Sequence, residues 1–370
     1  MKTTPKLSIV CITYNQEQYI RQTLDGFVSQ VVDFPLEIII SDDCSSDNTP
    51  EIIAEYANKY PALFKPNLRK KNLGAIANSI ASLKAATGEY IALCEGDDYW
   101  TDPNKLQTQV DFLASHKEFG GCFHVVEVVY SDTADKSYLF PDVPDPAWYT
   151  TEELLRTNYV PTNSVVYRRR NYDALPANVM PFDWFLHLYH SQDGPLAFLD
   201  KKMSVYRKHQ AGLWWDYDKN RDQIWKKFGL AYMALYTEMS KLFTKDQKKQ
   251  AIIDESINVL LSTLIDIDQK FSESLLEQAM AAYPKRAQPF MVYERQQVVT
   301  LTERVEQLTK ELLQVGDERS ELVIELDKAT TAYNEVAKEL HAVVGTRIWR
   351  TKTKFVDAKQ KLRGTRKSQR

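Results

Sequence analysis

The sequence lacks most of what would mark a secreted, membrane-spanning or metal-stapled protein. Only four cysteines occur in 370 residues, Cys11, Cys44, Cys94 and Cys122, and no two form a C-x-x-C pair. A structural zinc site and a disulfide framework are therefore both disfavoured, and the chain reads as reduced and cytoplasmic. No run approaches the roughly 20 apolar residues that a membrane-spanning helix needs. A secretory leader is missing too: Thr3, Thr4 and Pro5 lead into Leu7–Ile12, too short an apolar stretch for one. Charge of one sign is not in excess, with 47 Lys and Arg against 50 Asp and Glu and a formal net charge of −3. That balance argues against a nucleic-acid binder built on bulk electrostatics, so no nucleic-acid partner is expected. At 44% hydrophobic and 26% charged, the composition is that of a folded protein. The length suits two or three domains of roughly 100–200 residues.

What is present falls into four segments. Over residues 1–215 short apolar runs alternate with amphipathic stretches. Leu7–Thr13 (LSIVCIT), Leu36–Ser41 (LEIIIS) and Tyr90–Cys94 (YIALC) are β-rich and of strand length. Between the first two, Gln18–Gln30 places Ile20, Leu24, Phe27 and Val28 on one helical face. A second helix follows Asp47, its N-cap candidate, with Ile52, Ile53 and Tyr56 inward, and a third spans Ala75–Ala86. This order implies an α/β fold, a mostly parallel sheet sandwiched by helices, whose ligands sit at the carboxyl ends of the strands. Three polar groups stand directly after strands: Tyr14-Asn15, Asp42-Asp43 and Glu95-Gly96-Asp97-Asp98.

Residues 216–290 read as several helices, closed by Pro284 and Pro289. Residues 291–344 carry a heptad seam that runs in steps of 3 and 4 from Val298 through Val305, Leu312, Leu326 and Tyr333 to Val343, with Arg319 its one charge. That pattern predicts a coiled coil of roughly 70 Å and a homo-oligomer joined through residues 298–343. One long helix folded back on the body is the alternative. Residues 345–370 hold ten Lys or Arg against Asp357 alone, with Trp349 and Phe355 interleaved. A basic amphipathic tail of this kind suits an anionic membrane surface, each cation adding about 1 kcal/mol. A solvated tail and an RNA-binding one are the alternatives.

Two carboxylates at a strand end repel each other unless something positive lies between them. A divalent metal carrying a nucleotide diphosphate answers that need, because hard oxygen ligands and phosphates share Mg²⁺ or Mn²⁺ well. Taken alone, Asp97-Asp98 reads better as an ordinary polar turn before a helix capped by Asp102-Pro103. It does not stand alone. In order along the chain come Thr13-Tyr14-Asn15, Asp42-Asp43-Cys44-Ser45-Ser46-Asp47, Asn72-Leu73-Gly74, Gly88-Glu89-Tyr90 and Glu95-Gly96-Asp97-Asp98.

Over about residues 5–215 this series resembles the family 2 glycosyltransferases of the GT-A fold, a Rossmann-like mixed sheet with helices on both faces. Ile12, Cys44 and Glu95 depart from the usual Pro, Gly and first Asp of the acidic cluster. The resemblance implies that Thr13 and Tyr14 line the nucleobase and ribose. Asp43, beside Asp42, would accept a hydrogen bond from a uracil ring, with Asn15, Asn72 and Gly74 in the same nucleotide site. Asp97 would touch ribose or sugar, and Asp98 would bind Mn²⁺ or Mg²⁺. Tyr206-Arg207-Lys208-His209 resembles the family's Y-R-x-H, so Arg207 would meet the diphosphate. His209 is either a further metal ligand or a structural histidine. An inverting transfer needs one base, and Asp183 among Phe182, Trp184 and Phe185 fits, with Asp193 as its rival and helix capping as the bland role. Thr162, Asn163 and Trp184, with Trp214 and Trp215, would line the acceptor groove.

The implied activity moves a sugar from a nucleotide sugar, UDP-linked, to a saccharide or lipid-linked glycan in bacterial surface polysaccharide synthesis. The tail would hold the enzyme at the inner face of the plasma membrane. A sugar nucleotidyltransferase would want a Gly-rich basic loop after the first strand, where this chain has Asn15-Gln16-Glu17-Gln18. An inactive coiled-coil scaffold is the alternative from another class.

Overall fold

The computed structural model describes residues 4–133, 135–142, 148–212, 214–215, 220–314 and 319–344. The chain divides into two compact units, Met1–Ile224 with Ala231–Ser256, and Trp225–Leu230 with Ile257–Arg370. The first is built on a ten-stranded mixed sheet. Its strands are β1 (Leu7–Thr13), β2 (Leu36–Asp42), β3 (Phe64–Leu68), β4 (Tyr90–Leu93), β5 (Tyr99–Trp100), β6 (Gly121–Tyr130), β7 (Tyr138–Phe140), β8 (Trp148–Tyr149), β9 (Val166–Arg168) and β10 (Leu196–Lys208). The helices interspersed with them are α1 (Ile20–Val28), α2 (Thr49–Lys59), α3 (Ala75–Ala85), α4 (Lys105–Ser115), α5 (Thr151–Arg156) and α6 (Phe182–His190). The strand order is β3-β2-β1-β4-β9-β6-β10-β5, with β7 on β6 and β8 on β10. Strands β3, β2, β1 and β4 run parallel, and β9 is antiparallel to both its neighbours.

Period-two alternation decides which side chains each strand buries. Leu7, Ile9 and Cys11 of β1 sit beside Leu36, Ile38 and Ile40 of β2 in register. They pack with Ile20, Leu24 and Phe27 of α1 and with Ile53 and Tyr56 of α2. Each fully buried Leu, Ile or Phe contributes about 1.5–3 kcal/mol. Parallel register also fixes the geometry of the site. Thr13 lies opposite Asp42, and the backbone N–H of Gly96 reaches the Ile12 carbonyl at 3.0 Å, so the three polar strand ends share one edge. All four cysteines are free thiols.

Local details differ from the sequence reading. The N-cap of α2 is Asn48, and the Asp47 carboxylate instead accepts from the backbone N–H groups of Thr49 and Glu17, both at 3.0 Å. Asn104 precedes α4, while Asp102 accepts from the Asn104 N–H at 2.8 Å.

Helices follow the sheet: α7 (Arg221–Leu242), α8 (Gln247–Phe271), α9 (Leu275–Ala282), α10 (Pro284–Gln314) and α11 (Arg319–Val344). Helix α10 opens on Pro284 and runs through Pro289, so these prolines begin a helix rather than close a region. The seam residues pack against each other within the chain. Val298 and Val305 of α10 are buried with Tyr333 and Ala337 of α11, flanked by Leu301, Leu326, Ala329 and Val336. An Arg304–Glu325 ion pair joins the same two helices. At these positions the two helices cover each other. The basic tail, residues 345–370, lies outside the described residues. Among the described residues no helix is long and apolar enough to cross a membrane.

The N-terminal ends of the parallel strands are tied by one buried acid. Glu37 accepts from Ser8 Oγ at 2.5 Å and from the Thr87 N–H and hydroxyl at 2.7 and 2.8 Å, and it pairs with Lys65. Glu37→Ala strands these donors and is expected to cost about 2–4 kcal/mol, read as a lowered urea midpoint. An unchanged midpoint would show the network to be idle.

Candidate active site

The loop after β1 is held to the loop after β2. Asn15 takes a left-handed φ of 52°, its N–H donates to Ser45 Oγ at 2.8 Å, and its Oδ1 accepts from the Ser46 N–H at 2.8 Å. Cys44 has a φ of 67°, a conformation that favours glycine, at the position where the resembled pattern has one. Asp42 is buried and caps Ser45 through both the backbone N–H, at 2.9 Å, and the hydroxyl. Asp43 is also buried, and its two oxygens accept from the N–H groups of Leu73 and Gly74, each at 2.8 Å. Asn72 Nδ2 returns a bond to the Asp43 carbonyl at 3.0 Å. Asp42, Asn15 and Asn72 thus act on the backbone of the cleft, and Asp43 orders the 72–74 loop. Tyr14 is half exposed beside them, while the Thr13 hydroxyl and Gln16 Oε1 are buried with no hydrogen-bond partner.

The acid cluster stands next to Thr13. Carboxylate oxygens of Glu95, Asp97 and Asp98 all lie within 4.8 Å of one another. Gly96 allows this approach, because a Cβ there would fall 2.8 Å from Thr13 and 2.5 Å from Gln16 Oε1. Thr23 Oγ1 clamps the turn, donating to the carbonyls of Gly96 at 2.9 Å and Asp98 at 2.6 Å. Strand β10 closes it from the other side. The Arg207 N–H donates to Asp98 Oδ1 at 2.8 Å, and its guanidinium donates to the Asp97 carbonyl and to Gln22 Oε1, both at 2.6 Å. That guanidinium lies over Tyr19 and Tyr99, 4.6 and 5.0 Å from the ring centroids. His209 Nε2 is 3.0 Å from Asp97 Oδ2. It meets Asp97 rather than Asp98, so within the described structure it orients one acid of the cluster.

Burial, followed by the charges of Asp97 and Asp183, pushes the Glu95 carboxyl up to about 8. Burial again, then Asp97 and Glu95, raises Asp98 well above the usual carboxylate range. Three clustered carboxylates, two of them raised in this way, are the donor set a hard divalent cation takes. Glu95 belongs to that set as fully as the two aspartates.

Asp183 sits in the first turn of α6, whose N-cap is Pro181, and its side chain makes no capping bond. Asn158 Nδ2 donates to its Oδ2 at 2.9 Å. His187, one turn on and buried, has Nε2 3.1 Å from the Val160 carbonyl and Nδ1 against the Tyr167 hydroxyl. A carbonyl can only accept, so Nε2 carries the proton and Tyr167 donates to Nδ1. Burial lowers His187 to about 4, which keeps the ring neutral. Asp193 is instead paired with Arg170 at 3.0 Å. Asn158 has no sequence signal, whereas His187, four residues after Asp183, could have been read from helical spacing.

The expected acceptor residues separate. Asn163 is buried, with Nδ2 on the Val205 carbonyl at 2.8 Å and its own carbonyl taken by Trp100 Nε1 at 2.9 Å. Trp184 is buried too, its Nε1 donating to the Leu154 carbonyl at 2.6 Å. Both are core residues here, and Thr162 is half-buried in a short turn of helix beside Asn163.

The family model described as Glycosyl transferase family 2 matches residues 8–208, more than half of the chain. An uncharacterised protein of Mycobacterium tuberculosis is 45% identical over 283 residues, 75% of this chain and 81% of its own length. The poly(ribitol-phosphate) beta-N-acetylglucosaminyltransferase TarS of Staphylococcus aureus is 33% identical over 114 residues, 30% of this chain but only 19% of TarS. The crystal structure of S. aureus TarS is similar in fold, with a TM-score of 0.50 and 18% identity over 90% of this chain and 54% of that one.

The raised carboxyls set a pH dependence. A group whose folded pKa exceeds its unfolded value stabilises fully below the unfolded value and loses that contribution as pH rises through the folded one. For Glu95 the window runs from 4.5 to about 8. Metal-free protein is expected to lose thermal stability across it, and Mn²⁺ or Asp98→Asn to flatten the decline, as read by melting curves in EDTA. A flat curve in EDTA would contradict the electrostatics of the cluster.

Proposed function

The chain belongs to glycosyl transferase family 2, and on that premise we propose that it is an inverting, metal-dependent enzyme that moves a sugar from a UDP-sugar to a saccharide or lipid-linked glycan hydroxyl. One observation carries the reading. Carboxylate oxygens of Glu95, Asp97 and Asp98 lie within 4.8 Å of one another at the strand ends, which supports a divalent-cation site in this cleft. A divalent cation there, Mn²⁺ or Mg²⁺, would be held by Asp98 with Glu95 and Asp97. When bound, it supplies positive charge to the diphosphate leaving group.

The chain's own residues do the rest. Tyr14 offers its exposed ring to the base, and the buried Thr13 hydroxyl faces the nucleotide without a competing partner. Asp43 and Gly74 hold the loop that closes over the nucleoside. Arg207 keeps Asp97 and Asp98 in place from β10. Asn158 holds Asp183 Oδ2, while Oδ1 has no partner among the described residues and takes the proton of the acceptor hydroxyl. As the acceptor oxygen bonds to the anomeric carbon, the bond from that carbon to the diphosphate breaks, with inversion. His187, neutral and locked, adds no charge to compete for that proton.

The setting completes the proposal. The TarS match supports an activated amino sugar or hexose as donor and a bacterial surface polymer as acceptor. The basic tail would hold the enzyme at the anionic inner face of the plasma membrane.

Calorimetric titration of UDP with Mn²⁺ is expected to show binding that EDTA and Asp98→Ala both abolish. Asp183→Asn should keep that binding while turnover falls by about 10²–10⁴-fold. Silence with UDP, dTDP and GDP alike would sink the donor site, and full turnover in Asp183→Asn would sink the base.

A further inference from the structure

With Asn163 and Trp184 in the core, the wall that receives the acceptor lies elsewhere. The pairing of β7, β6 and β10 locates it. Tyr138 pairs with Val128, and Val128 with Tyr206, while one step on Tyr130 pairs with Lys208. Paired residues and residues two apart share a face, so Tyr138, Tyr206, Tyr130 and Lys208 all stand on one side of the sheet. This face adjoins the reaction centre, because Arg207 and His209, which flank Lys208 on the chain, meet Asp97 at 2.6 and 3.0 Å, and the Arg207 N–H meets Asp98 at 2.8 Å.

Beyond Tyr206 this face becomes an aromatic shelf. The rings of Tyr130 and Tyr138 are 6.4 Å apart, and Trp215 meets Tyr130 edge-on at 6.0 Å. Tyr138 is 42% exposed, an open position for a residue of this size. Lys208 Nζ lies over both phenols, 5.7 and 6.0 Å from their centroids. Lys208 makes no ion pair among the described residues. Two acids lie nearby: Asp132 accepts from the Gln210 N–H at 2.6 Å, and Asp135, whose charge reaches Tyr130, accepts from the Thr133 hydroxyl at 2.7 Å.

We propose that Tyr130, Tyr138, Trp215 and Lys208 form the acceptor platform, and that the acceptor is a saccharide bearing an anionic group, phosphate or uronate. The inference rests on the glycosyltransferase reading and names the substrate class of that site. Aromatic faces stack on the C–H faces of sugar rings, and partly desolvated rings around an ammonium sharpen its preference for an anion. A neutral glycan would leave Lys208 with only its two rings. An anion without a sugar would leave the shelf uncovered.

The test is a glycan array with neutral, uronate-bearing and phosphate-bearing saccharides, probed with the labelled full chain in UDP and Mn²⁺. Retention is expected on the anionic members. Lys208→Gln should weaken it by about tenfold or more, the loss of one charge-assisted hydrogen bond, and Lys208→Arg should largely restore it. Tyr138→Ala, at an exposed position where folding is not at stake, should weaken retention as well. Inorganic phosphate should compete far less well than a phosphorylated disaccharide. Retention of neutral glycans alone, retention indifferent to Lys208→Gln and Tyr138→Ala, equal competition by inorganic phosphate, or no retention at all each overturns the platform. Calorimetry with UDP on the same preparations separates the two readings. Intact UDP binding assigns a failed array to the platform, and absent UDP binding assigns it to the donor site.

Discussion

Like charges do not gather in a protein interior without help, and the acid cluster is the constraint around which the N-terminal unit is organised. Glu95, Asp97 and Asp98 converge because the chain turns sharply after β4, with the Asp98 N–H on the Glu95 carbonyl at 3.2 Å. Gly96 leaves room for Thr13, Thr23 grips the turn from α1, and Arg207 with His209 reaches it from the end of β10. These contacts come from three elements, β1, α1 and the end of β10. The long-range register of the sheet therefore decides the spacing of three carboxylates, and the cation that would neutralise them gains a site already assembled.

Much of this was legible in the sequence, for a definable reason. A buried strand followed at once by polar residues leaves two signals, periodicity and an abrupt change of polarity, and both survive without coordinates. Leu7–Thr13, Leu36–Ser41 and Tyr90–Cys94 gave those signals, and their ends are where the site lies. Glu95 was harder to weigh, since a single residue type against a pattern says nothing of the distance it reaches. The acceptor side was not legible. Asn163 and Trp184 look like solvent-facing recognition residues, yet their hydrogen bonds go to Val205 and Leu154, partners 42 and 30 residues away in sequence. Composition gives no hint of which polar group a distant carbonyl will claim.

The C-terminal helices show a different limit. Spacings of 3 and 4 report that a helix has an apolar stripe and nothing about what covers it. Val298, Val305 and Tyr333 satisfy that pattern equally well against a second copy or against the neighbouring helix of the same chain. Here α10 and α11 cover each other at Val298, Val305, Tyr333 and Ala337.

Strand β10 has a consequence for how such an enzyme can diversify. Its last residues divide by parity: Arg207 and then His209 brace the acids, while Tyr206 and Lys208 look toward the shelf. Point changes at the even positions can therefore alter what is accepted while the odd positions go on serving the donor. An insertion or deletion of one residue just before Tyr206 has no such freedom, since it exchanges the two faces and ruins both tasks together. Enzymes that share this strand should consequently vary in letters along it while keeping its length.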